Sequence, residues 1–136
     1  MLNSTGGGRG RPGDRRRGLQ AWNAGRWAET LAAWRLRCAG YQILARNWRS
    51  PVGEIDIVAR RGTILVIVEV KRRGELATAL QAIAPRQQAR LVRAALAFQA
   101  RRQDTAGLTL RFDVIALGRP GFWPRHIREA WRPASD

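Results

Sequence analysis

The most apolar stretch of the chain is Thr63–Lys71, which ends in two opposite charges, Glu69 and Lys71. A run that is apolar on both faces is typical of a strand in the middle of a sheet that is covered on both sides. Side chains two residues apart along a strand point to the same face, so Glu69 and Lys71 share the face of Leu65 and Ile67. The sequence therefore predicts a central strand that ends in charge at the edge of a core, where charge is costly unless it is paired or used.

Shorter apolar runs predict further strands before and after this one. Turn residues at 50–53 and 61–62 connect the first three strands, which predicts an antiparallel meander. A fourth strand is expected to run parallel to the third, because a helix crosses over between them. A last element, at 125–131, is predicted as a strand or a short helix. The predicted strands are Tyr41–Trp48, Glu54–Arg60, Thr63–Lys71 and Leu108–Leu117.

A first helix is predicted before the meander, over Leu19–Ala39. The segment contains no proline, is rich in Ala, Leu and Arg, and stops at Gly40, a residue suited to a left-handed helix cap. Three tryptophans lie on this helix, Trp22, Trp27 and Trp34. Such rings can stack on bases, but beside a sheet they are more often part of the core, so we interpret them as core residues.

A second helix is predicted between the third and fourth strands, and it is broken. One part covers 77–83, and the other begins at Pro85, which suits a first helical turn, and runs to about Gln103. Helices alternating with strands in this order predict an α/β fold, a mixed central sheet flanked by helices. One face of the second helix carries, at helical spacing, Gln87, Leu91, Ala94 and Phe98. A glutamine at the start of this helix could hydrogen-bond a phosphate or a water molecule, but a solvated position is the commoner interpretation.

Composition adds a strong positive charge to this picture. The chain has 136 residues, a formal net charge of +15 and 24 arginines but a single lysine, Lys71. Such an excess favours an anionic partner, which is DNA, RNA or an anionic membrane surface. The predicted organisation is a flexible basic arm over 1–17, one domain over 18–132 and a short tail over 133–136.

Several classes of protein are excluded by what the chain lacks. No apolar run approaches the ~20 residues of a membrane span. Cys38 is the only cysteine, so no internal disulfide can form, and we expect a protein of the reducing cytoplasm. The single histidine, His126, offers neither a zinc cluster nor a Ser-His-Asp triad.

Two acids on neighbouring strands predict a metal site. A tight reversal at 61–62 places Asp56 opposite Glu69, because 56 and 69 have the same sum as 62 and 63, and adjacent strands lie about 4.8 Å apart. Two carboxylates and the carbonyl of Val70 are hard ligands for Mg²⁺ or Mn²⁺. Lys71, one pleat further along the same face, is predicted to orient or deprotonate a water molecule, or to neutralise charge on a phosphate in the transition state.

The plainer alternative is an ion pair between Glu69 and Lys71 at the edge of the core, with Asp56 on the surface. We favour the metal site because the only lysine of an arginine-rich chain lies beside the one acid of the central strand, and the two cations differ chemically. Glu29 is a further ligand, a holder of metal-bound water, or a surface residue paired with an arginine. Arg111 and Asp113 share a strand face and are predicted to form a structural salt bridge.

Several short motifs in this order resemble the small bacterial YraN-like family over about residues 24 to 132. That family is grouped with endonuclease-like proteins of the PD-(D/E)xK superfamily, near the archaeal Holliday-junction resolvases. The motifs are Gly25-x-x-Ala28-Glu29, Gly40-Tyr41-x-Ile43-Leu44-x-Arg46-Asn47-Trp48, Gly53-Glu54-Ile55-Asp56-Ile57-Val58-Ala59, Val68-Glu69-Val70-Lys71 and Arg111-Phe112-Asp113-Val114.

The resemblance implies a restriction-endonuclease-like core, with Glu29, Asp56, Glu69 and Lys71 at the acidic and lysine positions of the nuclease signature. Two departures are visible. Gln87 stands where the family's second helix usually has a lysine, and Arg72 follows Lys71 where a small polar residue is usual. Residues expected to contact nucleic acid are Arg72, Arg73 and Gln87.

Three functions therefore remain open at this point. The first is a Mg²⁺-dependent endonuclease or structure-selective enzyme, with DNA rather than RNA as its substrate and, as in junction-cutting relatives, a homodimer as one possible state. The second is a non-catalytic nucleic-acid-binding protein on the same scaffold. The third is an interaction module whose basic surface docks an acidic protein. A fold alone does not decide among them.

Overall fold

Five strands form a single mixed sheet in the order β1-β2-β3-β4-β5. The computed structural model describes residues 26–72, 84–118, 121 and 123–134. The first three strands are antiparallel, β4 runs parallel to β3, and β5 is antiparallel to β4. The meander and the parallel crossover are confirmed, and the last element is a strand. The strands are β1 Gln42–Ser50, β2 Gly53–Arg61, β3 Ile64–Lys71, β4 Thr109–Ala116 and β5 Arg125–Trp131.

Within the described residues, two helices flank the sheet. Helix α1 covers 26–38 of the described residues, and α2 is Pro85–Arg101, with proline in its first turn as predicted. Helix α2 ends two residues earlier than expected, because the chain tightens there into the 3₁₀ turn Gln103–Thr105, in which the Thr105 hydroxyl donates to the Arg102 carbonyl at 2.7 Å. The predicted arm over 1–17 and the helical part over 77–83 lie outside the described residues.

The sheet is buried on both faces, as the apolar run of β3 predicts. Leu65 and Ile67 pack with Leu91, Ala94 and other residues of α2 on one face. On the other face, Val66 and Val68 pack against residues of α1. This is the mixed sheet flanked by helices of a restriction-endonuclease-like α/β core. Within the described residues, no helix is long and apolar enough to cross a membrane.

The prediction that the tryptophans of α1 lie in the core is wrong for the two that the structure describes. Trp27 and Trp34 are 65% and 55% exposed. Small residues form the buried face of α1, and they let the helix backbone lie close to the sheet, which leaves no room for an indole. That face consists of Ala28, Ala32, Ala33 and Leu36. Trp22 lies outside the described residues.

Candidate functional site

The predicted opposition of Asp56 and Glu69 rests on the register of β2 and β3. The antiparallel pairing runs from Arg61 and Ile64 to Ile57 and Val68, which is the predicted register. Asp56 and Glu69 are the next residues beyond the last pair. There a side chain replaces a backbone carbonyl as the acceptor between the two strands, because Asp56 Oδ2 accepts a hydrogen bond from the Val70 N–H at 2.8 Å.

Both carboxylates line one cavity of about 350 Å³ between the sheet and α2. Glycine at position 53 allows the β1–β2 turn to approach α2 this closely, since a Cβ there would lie 3.3 Å from the Arg90 carbonyl oxygen. Glu54 stands on the rim, 70% exposed and 3.5 Å from the Arg49 guanidinium. The cavity is lined by Gly53, Glu54, Asp56, Val68, Glu69, Gln87, Arg90 and Leu91.

The two oxygens of Glu69 have different surroundings. Oε1 receives the Lys71 ammonium at 3.0 Å and a hydrogen bond from the Gln87 amide. Oε2 is buried and has no hydrogen-bond partner among the described residues. A buried charged oxygen without a partner is unfavourable by several kcal/mol in general, so such an atom requires an explanation. A bound cation would supply one.

Asp56 is the second unusual carboxylate. Burial raises its pKa most, the Val70 N–H lowers it, and the charges of Glu69 and Glu29 raise it further, so that it reaches about 6 from an ordinary 3.8 in spite of Lys71. The negative form is therefore disfavoured in the protein as it stands. A cation beside Asp56 would reverse this balance.

Glu29 lies near this site but is held elsewhere. Its Oε2 accepts a hydrogen bond from the Asn47 side chain, and Glu29 does not line the cavity. Asn47 lies within β1 but has a left-handed backbone, with φ of 50°. Sequence analysis missed Asn47. The available signal was an asparagine inside a strand, since asparagine tolerates this conformation better than most residues.

The plainer alternative is thus half right. The ion pair between Glu69 and Lys71 exists, with the two side chains 11% and 21% exposed, but Asp56 is partly buried and not a surface residue. Gln87 bonds to Glu69 and does not simply face solvent. Arg72 is exposed at the end of β3, and Arg73 lies outside the described residues.

The donor set fits a hard divalent cation held by two carboxylates. The unpartnered Glu69 Oε2 and the Asp56 carboxylate, whose pKa is raised, are both oxygen ligands of the kind that Mg²⁺ and Mn²⁺ prefer. In the part of the chain that the structure describes, no three His, Cys, Asp or Glu residues form a metal-binding group. Glu29 does not line the cavity, and its charge raises the pKa of Asp56.

A second acidic centre lies in β4. Asp113 is 1% exposed and accepts four hydrogen bonds of 2.7 to 2.9 Å, two from Arg111, one from the Glu129 N–H and one shared with His126. Burial alone would raise its pKa, but these bonds together hold the pKa below its usual value. Arg111 also donates to the Tyr41 hydroxyl at 2.6 Å. The predicted structural salt bridge is confirmed.

Comparison with known proteins identifies relatives across nearly the whole chain. The model of a family described as "Uncharacterised protein family UPF0102" matches residues 28–117. A UPF0102 protein of Parvibaculum lavamentivorans is 50% identical over 123 residues, which are 90% of this chain and 92% of the relative. One of Maricaulis maris is 49% identical over 117 residues, 86% and 91% of the two chains. One of Caulobacter vibrioides is 45% identical over 115 residues, 85% and 91%.

Proposed function

The chain belongs to the UPF0102 family, whose description names no activity, and from its site we propose that it hydrolyses phosphodiester bonds in nucleic acid with the help of Mg²⁺ or Mn²⁺. One observation carries the proposal. The buried Glu69 Oε2 has no partner among the described residues, and it lines the same cavity as Asp56, whose pKa is raised to about 6. Two buried carboxylates that lack enough hydrogen-bond or charge partners are typical of a site that a bound cation completes.

Asp56, Glu69 Oε2 and the carbonyl of Val70 are the proposed ligands. The Val70 backbone is beside Asp56, because its N–H donates to that carboxylate. When bound, the cation would neutralise phosphate charge and lower the pKa of water. The reaction itself forms a bond from a water oxygen to phosphorus, breaks the bond to the leaving oxygen, and moves one proton from the water to solvent and one onto the leaving group.

Lys71 is the proposed catalytic cation of the chain. Its ammonium lies 3.0 Å from Glu69 Oε1 and is 21% exposed, so it is fixed at the site and still reachable from solvent. We assign it the stabilisation of negative charge on the phosphate oxygens in the transition state and the orientation of the attacking water. A compact ammonium with three donors can serve Glu69 and a phosphate at once, whereas the planar guanidinium of arginine would demand a different geometry.

The substrate follows from the charge next to the cavity. Arg86, Arg90 and Arg93 are exposed on α2, and their spacing of four and then three residues puts them on one side of the helix. Arg90 itself lines the cavity. A row of guanidinium groups beside two carboxylates suits a polymer of phosphates that passes the site, and the net charge of +15 supports nucleic acid as that polymer.

The test is a cleavage assay on the full chain with single-stranded, duplex and branched DNA and with RNA, in Mg²⁺ and in Mn²⁺. We expect cleavage by the native protein, with DNA preferred, and a loss of at least about 100-fold in Asp56→Asn and Glu69→Gln. Glu54→Gln is the matched control, since it removes an acid from the rim of the same cavity and should keep activity. A native protein that cuts none of these substrates contradicts the proposal.

Lys71→Arg tests the role of the ammonium separately. The charge is kept and only its shape changes, so the proposal predicts a loss of at least about tenfold in kcat with an unchanged salt dependence of binding. Full activity in this variant would remove the argument from the single lysine. Lys71→Met should lose more, because it removes the charge as well.

A second candidate function is binding of nucleic acid without cleavage. It is favoured by the contacts of Glu69 Oε1, which Lys71 and Gln87 already occupy, and by the lack of a three-acid cluster in the described residues. Titration calorimetry separates the two functions. Saturable Mg²⁺ or Mn²⁺ uptake that Asp56→Asn abolishes supports the enzyme, and nucleic-acid binding without any such uptake supports the binding protein.

A further inference from the structure

Three tryptophans that the structure describes lie on the outside of the protein. Trp27 is 65% exposed, Trp123 is 59% exposed and Trp34 is 55% exposed. Tryptophan is a large apolar side chain, and several exposed together mark an interaction site more often than chance. Neither the cavity nor its carboxylates involve them.

Arginines lie beside two of these rings. Trp27 and Trp34 are seven residues apart on α1, about two turns, so they share one side of the helix. The Arg37 guanidinium lies 5.8 Å from the ring centre of Trp34, and that of Arg35 lies 5.7 Å from Trp123. Trp27, Trp34, Trp123, Arg35 and Arg37 form what we call the tryptophan surface.

Arg35 fixes the position of the segment that carries Trp123. Its Nε donates to the Pro124 carbonyl at 3.0 Å, while its guanidinium faces the Trp123 ring. The ring is therefore held against α1 and yet more than half exposed. A guanidinium on one face of a ring is compatible with a second flat group on the other face.

The composition of the tryptophan surface indicates its partner. Flat apolar rings interleaved with cations match the stacked bases and the phosphates of an unpaired nucleic-acid strand. Glu29 is the only acid within 26–38, against three arginines. A second copy of the same chain would bring arginines against arginines, in a protein with a net charge of +15, so charge disfavours self-association here.

We propose that the tryptophan surface binds unpaired nucleotides of single-stranded nucleic acid by base stacking on its indoles and phosphate contacts to its arginines. Helix α1 packs on the face of the sheet opposite to α2 and the cavity, so this binding site is distinct from the proposed cleavage site. The inference goes beyond hydrolysis. It assigns the protein a second contact with the strand that does not depend on a metal.

The experiment measures binding of the full chain in EDTA, where no cleavage occurs, to labelled oligothymidylate, oligouridylate, a duplex of equal length and heparin, a polyanion without bases. We expect quenching of tryptophan fluorescence by both single strands. Trp34→Ala should weaken single-strand binding by about 5- to 150-fold per lost stack, with a larger loss in Trp27→Ala/Trp34→Ala. Binding of duplex and heparin should change by less than about threefold.

Matched variants separate stacking from folding. Leu96→Ala removes a side chain on α2 that is 53% exposed and should leave all affinities unchanged. Trp34→Phe keeps an aromatic face and should retain most of the single-strand affinity. Because the tryptophans are exposed, their replacement should leave the melting temperature within about 2 °C of the native value.

Four results would overturn the proposal. They are a native protein that does not bind oligothymidylate or oligouridylate, unchanged single-strand affinity in the double variant, an equal loss for heparin and single strands, and a native dimer in sedimentation that Trp34→Ala converts to a monomer. The last result would assign the surface to a second copy. A protein without any nuclease activity would still show the proposed binding, so the two proposals fail separately.

Discussion

Two acidic centres of the same sheet are built in opposite ways. Asp113, on β4, is almost completely buried and accepts four hydrogen bonds from three residues, which hold its pKa below the usual value. Asp56, at the end of the β2–β3 ladder, accepts one hydrogen bond from Val70 among the contacts described, and its pKa is raised to about 6. Its neighbour Glu69 has one oxygen, Oε2, that finds no hydrogen-bond partner in the described ranges.

The difference shows that the chain has the means to neutralise a buried carboxylate. Arg111 reaches Asp113 with two nitrogens, at 2.9 and 2.7 Å, and the sequence contains 23 other arginines that could do the same elsewhere. At the cavity, within the described part of the chain, the ion pair of Glu69 is made with a lysine, on Oε1. A carboxylate that is satisfied by its own chain is structural, whereas one left short of partners is free for a ligand. The predictions below test this contrast.

The largest effect is expected where the satisfied centre is broken. Arg111→Leu leaves Asp113 buried with a negative charge and fewer donors, so we expect the free energy of unfolding at pH 7 to fall by about 3–5 kcal/mol. Urea unfolding of the native and variant proteins measures the loss. Arg93→Leu, an exposed arginine of α2, is the matched control and should change stability by less than about 0.5 kcal/mol. Similar losses in both variants would remove the distinction of the Asp113 centre.

At the unsatisfied centre, replacing a charged residue should raise the free energy of unfolding instead of lowering it. The pKa of Asp56 is about 6 in the folded protein and ordinarily 3.8, so the folded protein binds more protons than the unfolded chain between these values. Ionisation of Asp56 therefore costs stability as the pH rises through 6. Asp56→Asn removes that cost and can still accept from the Val70 N–H. We expect the metal-free variant to be more stable by about 1–3 kcal/mol at pH 8, with no difference below about pH 4.

Asp104→Asn is the control for this pH dependence. Asp104 is exposed and hydrogen-bonded by Arg102, which lowers its pKa, so its replacement should bring no gain at any pH. Urea unfolding across pH 4 to 8 compares the two variants in metal-free buffer. An Asp56→Asn protein that is less stable than the native one at pH 8 would mean that Asp56 is satisfied by its own chain, like Asp113.

Sequence patterns predicted the strand positions of both acidic centres but only some of the contacts that their carboxylates make. The register that sets Asp56 opposite Glu69 followed from a two-residue reversal, because strand pairing propagates from a tight turn. The pair of Arg111 and Asp113 followed from strand alternation. The remaining partners of Asp113, His126 and the Glu129 N–H, come from β5. Arg111 is itself bonded to Tyr41, just before β1 and far along the chain, and no local pattern encodes these contacts.

Side-chain orientation was the second kind of information that the pattern did not contain. The buried stripe of α1 consists mainly of alanines, which hydrophobicity ranks below tryptophan, so Trp27 and Trp34 were placed in the core and lie outside it. The distance between helix and sheet decided this. Likewise Gln87 bonds to Glu69 and does not lie on a solvated helix face, because this bond depends on the separation of α2 from β3, which is a tertiary quantity.

Metal binding should satisfy the carboxylates of Asp56 and Glu69 and thereby stabilise the folded protein. A Mg²⁺ or Mn²⁺ concentration 100 times the dissociation constant should raise the free energy of unfolding of the native protein at pH 8 by about 2.7 kcal/mol. The gain should vanish in Asp56→Asn and Glu69→Gln, whose ligands are lost, and persist in Glu54→Gln. Thermal unfolding with and without the metal, at matched ionic strength, measures it. An equal gain in all four proteins would show a nonspecific salt effect and no site.

The smallest effect concerns how much each negative neighbour, Glu69 or Glu29, raises the pKa of Asp56. The charge of Glu69 raises the pKa of Asp56 more than that of Glu29 does, so Glu69→Gln should lower this pKa further than Glu29→Gln. Titration of the Asp56 carboxyl carbon by NMR in metal-free buffer gives both values, and Asp104→Asn should leave them unchanged. Glu29 is bonded to Asn47 and lies outside the cavity, which is why its influence is the weaker. The reverse order would mean that Glu29 belongs to the ligand set, and that α1 contributes directly to the site beside β2 and β3.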